Sequence, residues 1–225
     1  MKMQTDDLID TLARQGAPVT RLRAPGVRAL WWAGGALAYV AAALMLVSTV
    51  MSNRGSAMDP LFFVQQFAAL TTGITAAYAA FASTIPAASG RARSLPVLSA
   101  TLWLLSLGWG VLRDVRITGT IGIASETDWP CVVSMAVGGV LLGSLLIAML
   151  RRGAPLTPRT TAFTGGIAAL SIASIEACLT RPHAFTSTVL LWHGATVLTL
   201  ATVFAWSGNR LLHWPNRLSW PRSRA

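Results

Sequence analysis

The chain has 225 residues, of which 53% are hydrophobic and only 12% are charged. Because soluble globular domains carry about 25% charged residues, this composition excludes a single water-soluble core and indicates a membrane protein. The net charge of +10 lies almost entirely between the apolar runs. That pattern indicates basic loops that face anionic lipid, and not a surface that binds nucleic acid directly.

The N-terminal segment, residues 1–28, contains no apolar core, so we expect no cleaved leader peptide. Residues 5–15, TDDLIDTLARQ, have the pattern of a short amphipathic helix that ends before Gly16 and Pro18. Such a short helix is marginal by itself in water. The segment is therefore either a frayed or membrane-surface leader, or a helix that folds onto a partner protein. In the second case the contacting residues are Asp6, Asp7, Leu8, Ile9, Asp10 and Leu12.

Six apolar runs follow, each close to the roughly 20 residues that cross a bilayer as a helix. Because backbone polar groups in lipid must pair within their own segment, we predict that all six are helices. The predicted fold is all-α, with a six-helix transmembrane domain at 29–207 and a basic cytoplasmic tail at 208–225. The third run is the shortest. The runs cover residues 29–51, 61–84, 95–112, 131–150, 161–179 and 186–207.

The distribution of basic residues predicts the orientation of these helices. Fourteen of the eighteen lysines and arginines lie in the N-terminal segment, in the second and fourth connections and in the tail. The first, third and fifth connections hold the other four, which are Arg54, Arg113, Arg116 and Arg181. Since basic loops stay on the cytoplasmic side, both termini are predicted to be cytoplasmic.

Two cysteines fall at one membrane level in this orientation, Cys131 at the outer start of the fourth helix and Cys178 at the outer end of the fifth. Three interpretations are open: packing of small side chains, a dithiol–disulfide switch, or a soft-metal site. Near Cys178, Glu176 and His183 are additional candidate ligands for a metal. Glu176 within a spanning run is either functional or a carboxylate that snorkels to the interface.

Other polar side chains in the runs indicate packing. We expect Gln65 and Gln66 to hydrogen-bond between helices and His193 to be a packed polar residue, with a role near the outer site left open. The sequence shows no Ser–His–acid arrangement, no Gly-rich phosphate loop and no HExxH motif. We therefore predict that the protein is not an enzyme and carries no resident cofactor.

The opening of the chain resembles a known family. Residues 5–13 (TDDLIDTLA), followed by 18–19 (PV) and 21–23 (RLR), are similar to the start of the NrsF-type membrane proteins. These bacterial inner-membrane proteins have six predicted helices and negatively regulate the extracytoplasmic-function (ECF) sigma factor sigma F. Residues 3–4 (MQ) are an insertion relative to the family pattern.

The resemblance implies an anti-sigma factor of the bacterial inner membrane. Its N-terminal segment would hold an ECF sigma factor away from RNA polymerase until a heavy-metal or oxidative signal releases it. Family members also carry two cysteines on the outer side of the helices, and Cys131 and Cys178 match that arrangement. The implied partners are a sigma factor and the lipid bilayer, with a transient soft metal ion at the cysteine pair as a possible signal.

Two other classes of function are compatible with the composition. A small multi-pass metal transporter or channel is the alternative, although the scarcity of charge within the apolar runs disfavours it. A purely structural membrane subunit would also account for the small-residue repeats, such as Gly139 and Gly143 in the fourth run.

Overall fold

A computed structural model describes residues 5–15, 22–50, 59–85, 90–121, 129–153, 155–180 and 186–212. Within these ranges the chain forms seven helices and no strand, which confirms the all-α prediction. The helices are α1 (Thr5–Gln15), α2 (Pro25–Val50), α3 (Pro60–Ala82), α4 (Gly90–Thr118), α5 (Trp129–Leu150), α6 (Pro158–Thr180) and α7 (Thr186–Leu211).

Five of the described helices are long and apolar enough to cross a membrane: α4, α5, α6, α7 and the Pro25–Leu46 part of α2. Helix α3 has 23 residues and is not among these five. Its two glutamines and three threonines lower its hydropathy. The prediction of six spanning helices is therefore supported for five of them, and for α3 it stays a prediction.

Helix α6 lies at the centre of the bundle and packs against α2, α3, α5 and α7. Its small-residue repeat, with Gly165, Ala169, Ala173 and Ala177 at every fourth position, is buried throughout. The side chain of Leu170 on α6 fills the space above Gly139 of α5. Small residues thus let the helix backbones approach closely, as expected for packing in lipid.

Helix α4 corrects the predicted length of the third run. It spans 29 residues and is the longest helix described, whereas the apolar run at 95–112 is the shortest of the six. At its C-terminal end, polar residues beyond the run have partners in the bundle. Arg113 forms an ion pair with Asp59, and a carboxylate oxygen of Asp114 accepts a hydrogen bond from the backbone N–H of Thr186 at 2.7 Å.

The ends of the transmembrane domain also differ slightly from the prediction. Helix α2 begins at Pro25, four residues before the predicted start of the domain, and α7 continues to Leu211. Of the predicted basic tail, residues 208–212 belong to the described part of the chain, and 213–225 lie outside it. Of the predicted connections, 52–58, 86–89, 122–128, 154 and 181–185 also lie outside it, as does Met51 at the end of the first predicted run.

Replacing Gly208 by alanine is expected to destabilise the bundle. A methyl group there would lie 2.7 Å from the backbone oxygen of Pro158 and 2.9 Å from the Cβ of Ala162, so α6 and α7 must move apart. Overpacking of this kind costs about 1–2 kcal/mol. Gly194→Ala in the same helix is the matched control, because nothing lies within 4 Å of its added methyl group. Thermal unfolding of both variants in detergent tests this, and equal midpoints would contradict it.

Candidate signal-sensing site

Both cysteines contact the imidazole of His193. Cys131 on α5 places its sulfur 3.0 Å from Nε2, and Cys178 on α6 places its sulfur 3.7 Å from Nδ1. Both cysteines are free thiols and both are buried. His193 comes from α7 and is also buried, so three helices meet at a single ring.

A serine extends these contacts into a chain of polar groups. The hydroxyl of Ser174 lies 2.8 Å from Nδ1 of His193 and also hydrogen-bonds to Cys178, as does the side chain of Gln66. Neutral imidazole donates from one nitrogen and accepts at the other. If Cys131 donates its proton to Nε2, then Nδ1–H donates to Ser174, whose hydroxyl donates to Cys178. We call Cys131, Ser174, Cys178 and His193 the cysteine–histidine cluster.

Glu176 lies beside this cluster in a separate network. Its side chain is 4% exposed, and its carboxylate oxygens accept hydrogen bonds from the Ser134 hydroxyl at 2.8 and 3.1 Å. The hydroxyl of Tyr39 also hydrogen-bonds to it. The network joins α2, α5 and α6. These protein groups surround the carboxylate inside the bundle, which disfavours the alternative in which Glu176 snorkels to the interface.

The predicted metal ligands are only partly brought together. Cys131 and Cys178 share the ring of His193, while Glu176 is held by Ser134 and Tyr39. His183 lies outside the described residues. In the described part of the chain, no group of three or more His, Cys, Asp and Glu side chains is arranged to hold a metal ion. Metal binding at the cysteines stays a prediction.

Sequence reasoning did not find the central residue of the cluster. His193 was interpreted mainly as a packed polar residue, because the sequence does not reveal which side of α7 faces α5 and α6. A depth argument gives the missing signal. Cys178 lies two residues before the end of α6, and His193 lies seven residues after the start of α7. At about 1.5 Å per residue, the two side chains fall within roughly two helical turns of the same membrane surface.

Helix α1 carries the predicted partner-binding residues. Asp6, Asp7, Ile9 and Asp10 are exposed, Ile9 by 57%. The side chains of Leu8 and Leu12 lie outside what the structure describes. Among the described helices, α1 packs against none of the others. The acidic and apolar surface of α1 is therefore presented away from the described bundle.

The two ends of the bundle are well separated. Cys131 lies near the start of α5, and Met149, whose carbonyl accepts a hydrogen bond from Arg28, lies near its end. Eighteen residues of helix separate them, which corresponds to about 27 Å. The cysteine–histidine cluster thus lies at the end of the bundle opposite the one from which the N-terminal segment enters α2.

Comparison with known proteins identifies the class. A family model described as a negative regulator of sigma F, NrsF, matches residues 12–214. The chain is also similar to the anti-sigma-F factor NrsF of Caulobacter vibrioides (strain NA1000 / CB15N), with 27% identity over 220 residues, covering 94% of this chain and all of that protein. No solved structure gives a significant match.

The chain belongs to the NrsF family of negative regulators of sigma F. The resemblance that the opening residues indicated is therefore confirmed, although the family match begins at residue 12, inside α1. The family is regulatory and not catalytic, which agrees with the prediction that the protein is not an enzyme. It also implies a sigma factor as partner and favours regulation over the transporter alternative.

Proposed function

We propose that the protein is an inner-membrane anti-sigma factor that binds an ECF sigma factor through α1 and releases it on a metal or oxidative signal at the cysteine–histidine cluster. The observation that carries the proposal is the pair of cysteines on one imidazole in a chain of a family that regulates sigma F. The two thiols thus have a possible proton acceptor, the imidazole of His193, beside them at one end of the helical bundle.

All six apolar helices span the inner membrane in this proposal. Five are apolar enough by composition, and α3 joins them because its polar side chains face protein. Its Gln65 donates to the carbonyl of Ser106 on α4, and Thr75 hydrogen-bonds to Ser99 of the same helix at 2.8 Å. Polar groups satisfied between helices are compatible with a spanning helix. With six spans, the arginine distribution then puts both termini in the cytoplasm.

Helix α1 is the proposed contact with the sigma factor. Exposed Asp6 and Asp10 lie beside exposed Ile9, and a short helix with an apolar residue among charges is typical of a segment that lays one face into a partner's groove. A helix of 11 residues is marginally stable by itself in water, so binding to a partner would stabilise α1.

The cysteine–histidine cluster is the proposed receiver of the signal. The imidazole of His193 takes the proton of Cys131, which leaves the thiolate that reacts with soft metals and oxidants. An organic peroxide would accept two electrons and both thiol protons, giving one disulfide, an alcohol and water. Because the sulfurs contact different nitrogens of one ring, a bond between them requires the imidazole to move, which changes how α7 packs against α5 and α6.

Co-purification of the full chain with the ECF sigma factor from the same genome tests the partner. Wild type in mild detergent is expected to retain the sigma factor, and Ile9→Glu is expected to weaken retention about tenfold, by burying a charge in the contact. Ile117→Glu, which alters an exposed apolar residue at the far end of α4, is the control. Equal retention by wild type and Ile9→Glu would count against α1 as the binding segment, and no retention at all would refute the sigma-factor partner.

A further inference from the structure

A groove opens between α2 and α5 at the end of the bundle where α2 begins. It has a volume of about 1080 Å³, which is slightly above the range of pockets that bind drug-sized ligands. Three arginines line the groove near the start of α2 and the end of α5: Arg23, Arg28 and Arg152. Apolar side chains and two glycines line the remainder, so the groove is basic at one end and apolar at the other.

The arginines carry positive charge that the described chain does not neutralise. Arg28 is 7% exposed, and the charge of Arg152 is close enough to act on it electrostatically. In the described ranges the ion pair is Arg113–Asp59, at the opposite end of the bundle, and no carboxylate pairs with these arginines. A buried guanidinium without a countercharge is costly, and that cost favours an anionic ligand.

Arg28 is fixed in place by its neighbours. Its Nη2 donates to the carbonyl of Met149 at 2.5 Å, its Nη1 donates to the hydroxyl of Thr84 at 3.3 Å, and its guanidinium lies 4.6 Å from the ring centre of Phe81. A guanidinium carries five N–H groups. A charge that is held rigidly, with two of its donors engaged, is preorganised for an anion at the groove.

The apolar part of the groove descends along both helices. From Arg28 to Gly35 on α2 the path is seven residues, or about 10 Å, and Leu145 on α5 lies seven residues before Arg152, which belongs to the turn after that helix. Gly34 has nothing within 4 Å of an added methyl group, whereas Gly35 faces Leu145. The two glycines therefore leave open space in the groove next to the arginines. Leu30 and Trp31, which also line the groove, are exposed and would face lipid in the proposed membrane.

We propose that this groove binds an anionic phospholipid, with its phosphate on Arg23, Arg28 and Arg152 and one acyl chain along Gly34 and Gly35. Basic pockets between spanning helices on the cytoplasmic side recognise acidic headgroups in this way. The site requires the proposed membrane insertion but not the proposed sigma-factor partner. The lipid would hold α2 against α5 close to the segment that leads to α1.

Native mass spectrometry of the full chain tests this proposal. The purified protein is mixed in detergent with phosphatidylglycerol or with phosphatidylcholine of the same acyl chains. We expect at least tenfold greater retention of phosphatidylglycerol, and a loss of about tenfold in Arg152→Gln. Arg151→Gln is the matched control, because the Arg151 side chain is turned to the carbonyl of Leu211, to which its Nε donates at 2.7 Å. Gly34→Leu is expected to reduce retention by filling the groove, and its Cβ would have nothing within 4 Å.

Four results would overturn the proposal. Equal retention of the two lipids, or equal loss in Arg151→Gln and Arg152→Gln, would remove the specific site. Displacement of the lipid by soluble glycerophosphoglycerol at the same concentration would make the groove a site for free phosphate esters. Binding that appears only after residues 1–15 are deleted would make acidic α1 the occupant. Cell fractionation separates these outcomes from failed membrane insertion, and co-purification of the sigma factor is scored independently.

Discussion

Replacing His193 by asparagine is expected to slow alkylation of Cys131 by about 100-fold while the bundle stays folded. The thiolate is the reactive form of cysteine, and Nε2 of His193 is the base 3.0 Å from the Cys131 sulfur. A positioned base contributes roughly 10² to 10⁴ to such reactions. Asparagine can still hydrogen-bond to Ser174, but it cannot take up a proton. The measurement is the rate at which N-ethylmaleimide adds to Cys131 in membranes that contain the full chain with Cys178→Ser.

The control for this experiment lies three residues further along the same helix. Thr196 donates only to the carbonyl of Trp192 in its own helix among the described contacts, so Thr196→Val should leave the rate unchanged. Cys131 is buried, and the reagent reaches it through local opening. That opening is common to wild type and control, so the ratio of rates isolates the base. An unchanged rate in His193→Asn, with an unchanged unfolding midpoint, would mean that the imidazole does not activate the thiol.

If the proposed function is correct, the same variant in cells is expected to keep the sigma factor bound when the proposed metal or oxidant signal is given. A reporter gene under sigma-factor control would then stay at its uninduced level, as it would in Cys131→Ser. Constitutive expression would instead mean that His193 stabilises the bound state, because the bundle would already lie in the releasing state without a signal. The reporter therefore separates a role in sensing from a role in holding the partner.

How far the sequence predicts this site can be seen from its residues. Loop charge predicts which end of each helix faces which side, and for this reason Cys131 and Cys178 could be assigned to one level. The rotation of each helix about its axis could not be predicted. Lipid and protein interior are both apolar, so the apolar face of α7 does not reveal that His193 points inward. Tyr39, which reaches Glu176 from α2, was missed for the same reason.

The local sequence predicts part of the helix packing, but it predicts the lengths of the helices poorly. The four-residue repeat from Gly165 to Ala177 is visible in the sequence, and α6 is buried there. The C-terminal extension of α4 was missed because Arg113 and Asp114 have partners that are distant in the sequence, namely Asp59, which caps α3, and Thr186 of α7. Contacts between segments far apart in the chain thus contribute to where a helix ends. The pattern of apolar residues within one segment does not reveal these contacts.

The position of α6 suggests how a signal at the cluster reaches the other end of the bundle. It carries Ser174, Glu176 and Cys178 and packs against α2, α3, α5 and α7. A closely packed helix responds to a local change as a unit, since interiors have discrete packings and do not deform continuously. In the proposed function, motion of the imidazole between α5 and α7 would bias the packing of α6. The Glu176 network, which ties α6 to both α2 and α5, is the contact that such a shift must strain.

Removing the carboxylate of Glu176 is expected to destabilise the folded bundle by about 2–4 kcal/mol. Glu176→Ala leaves the hydroxyls of Ser134 and Tyr39 without their acceptor and opens a cavity between three helices. Each buried polar group that loses its partner costs about 1–3 kcal/mol, at the lower end for hydrogen bonds within a membrane. The measurement is equilibrium unfolding of the full chain in mixed micelles of increasing SDS content.

Glu176→Gln is the matched variant, because its amide oxygen still accepts a hydrogen bond and its volume is almost the same. Its loss of stability is expected to stay within about 1 kcal/mol. If the glutamine variant is as unstable as the alanine variant, then the negative charge, and not the hydrogen-bond acceptor, holds α2 and α5 to α6. The double variant Tyr39→Phe with Glu176→Ala, measured in a cycle with both single variants, tests the hydrogen bond to Tyr39, since both single variants remove it and the coupling energy reports the interaction between α2 and α6. A coupling energy near zero would show that Tyr39 and Glu176 act independently, and this hydrogen bond would then not be the contact that links α6 to α2.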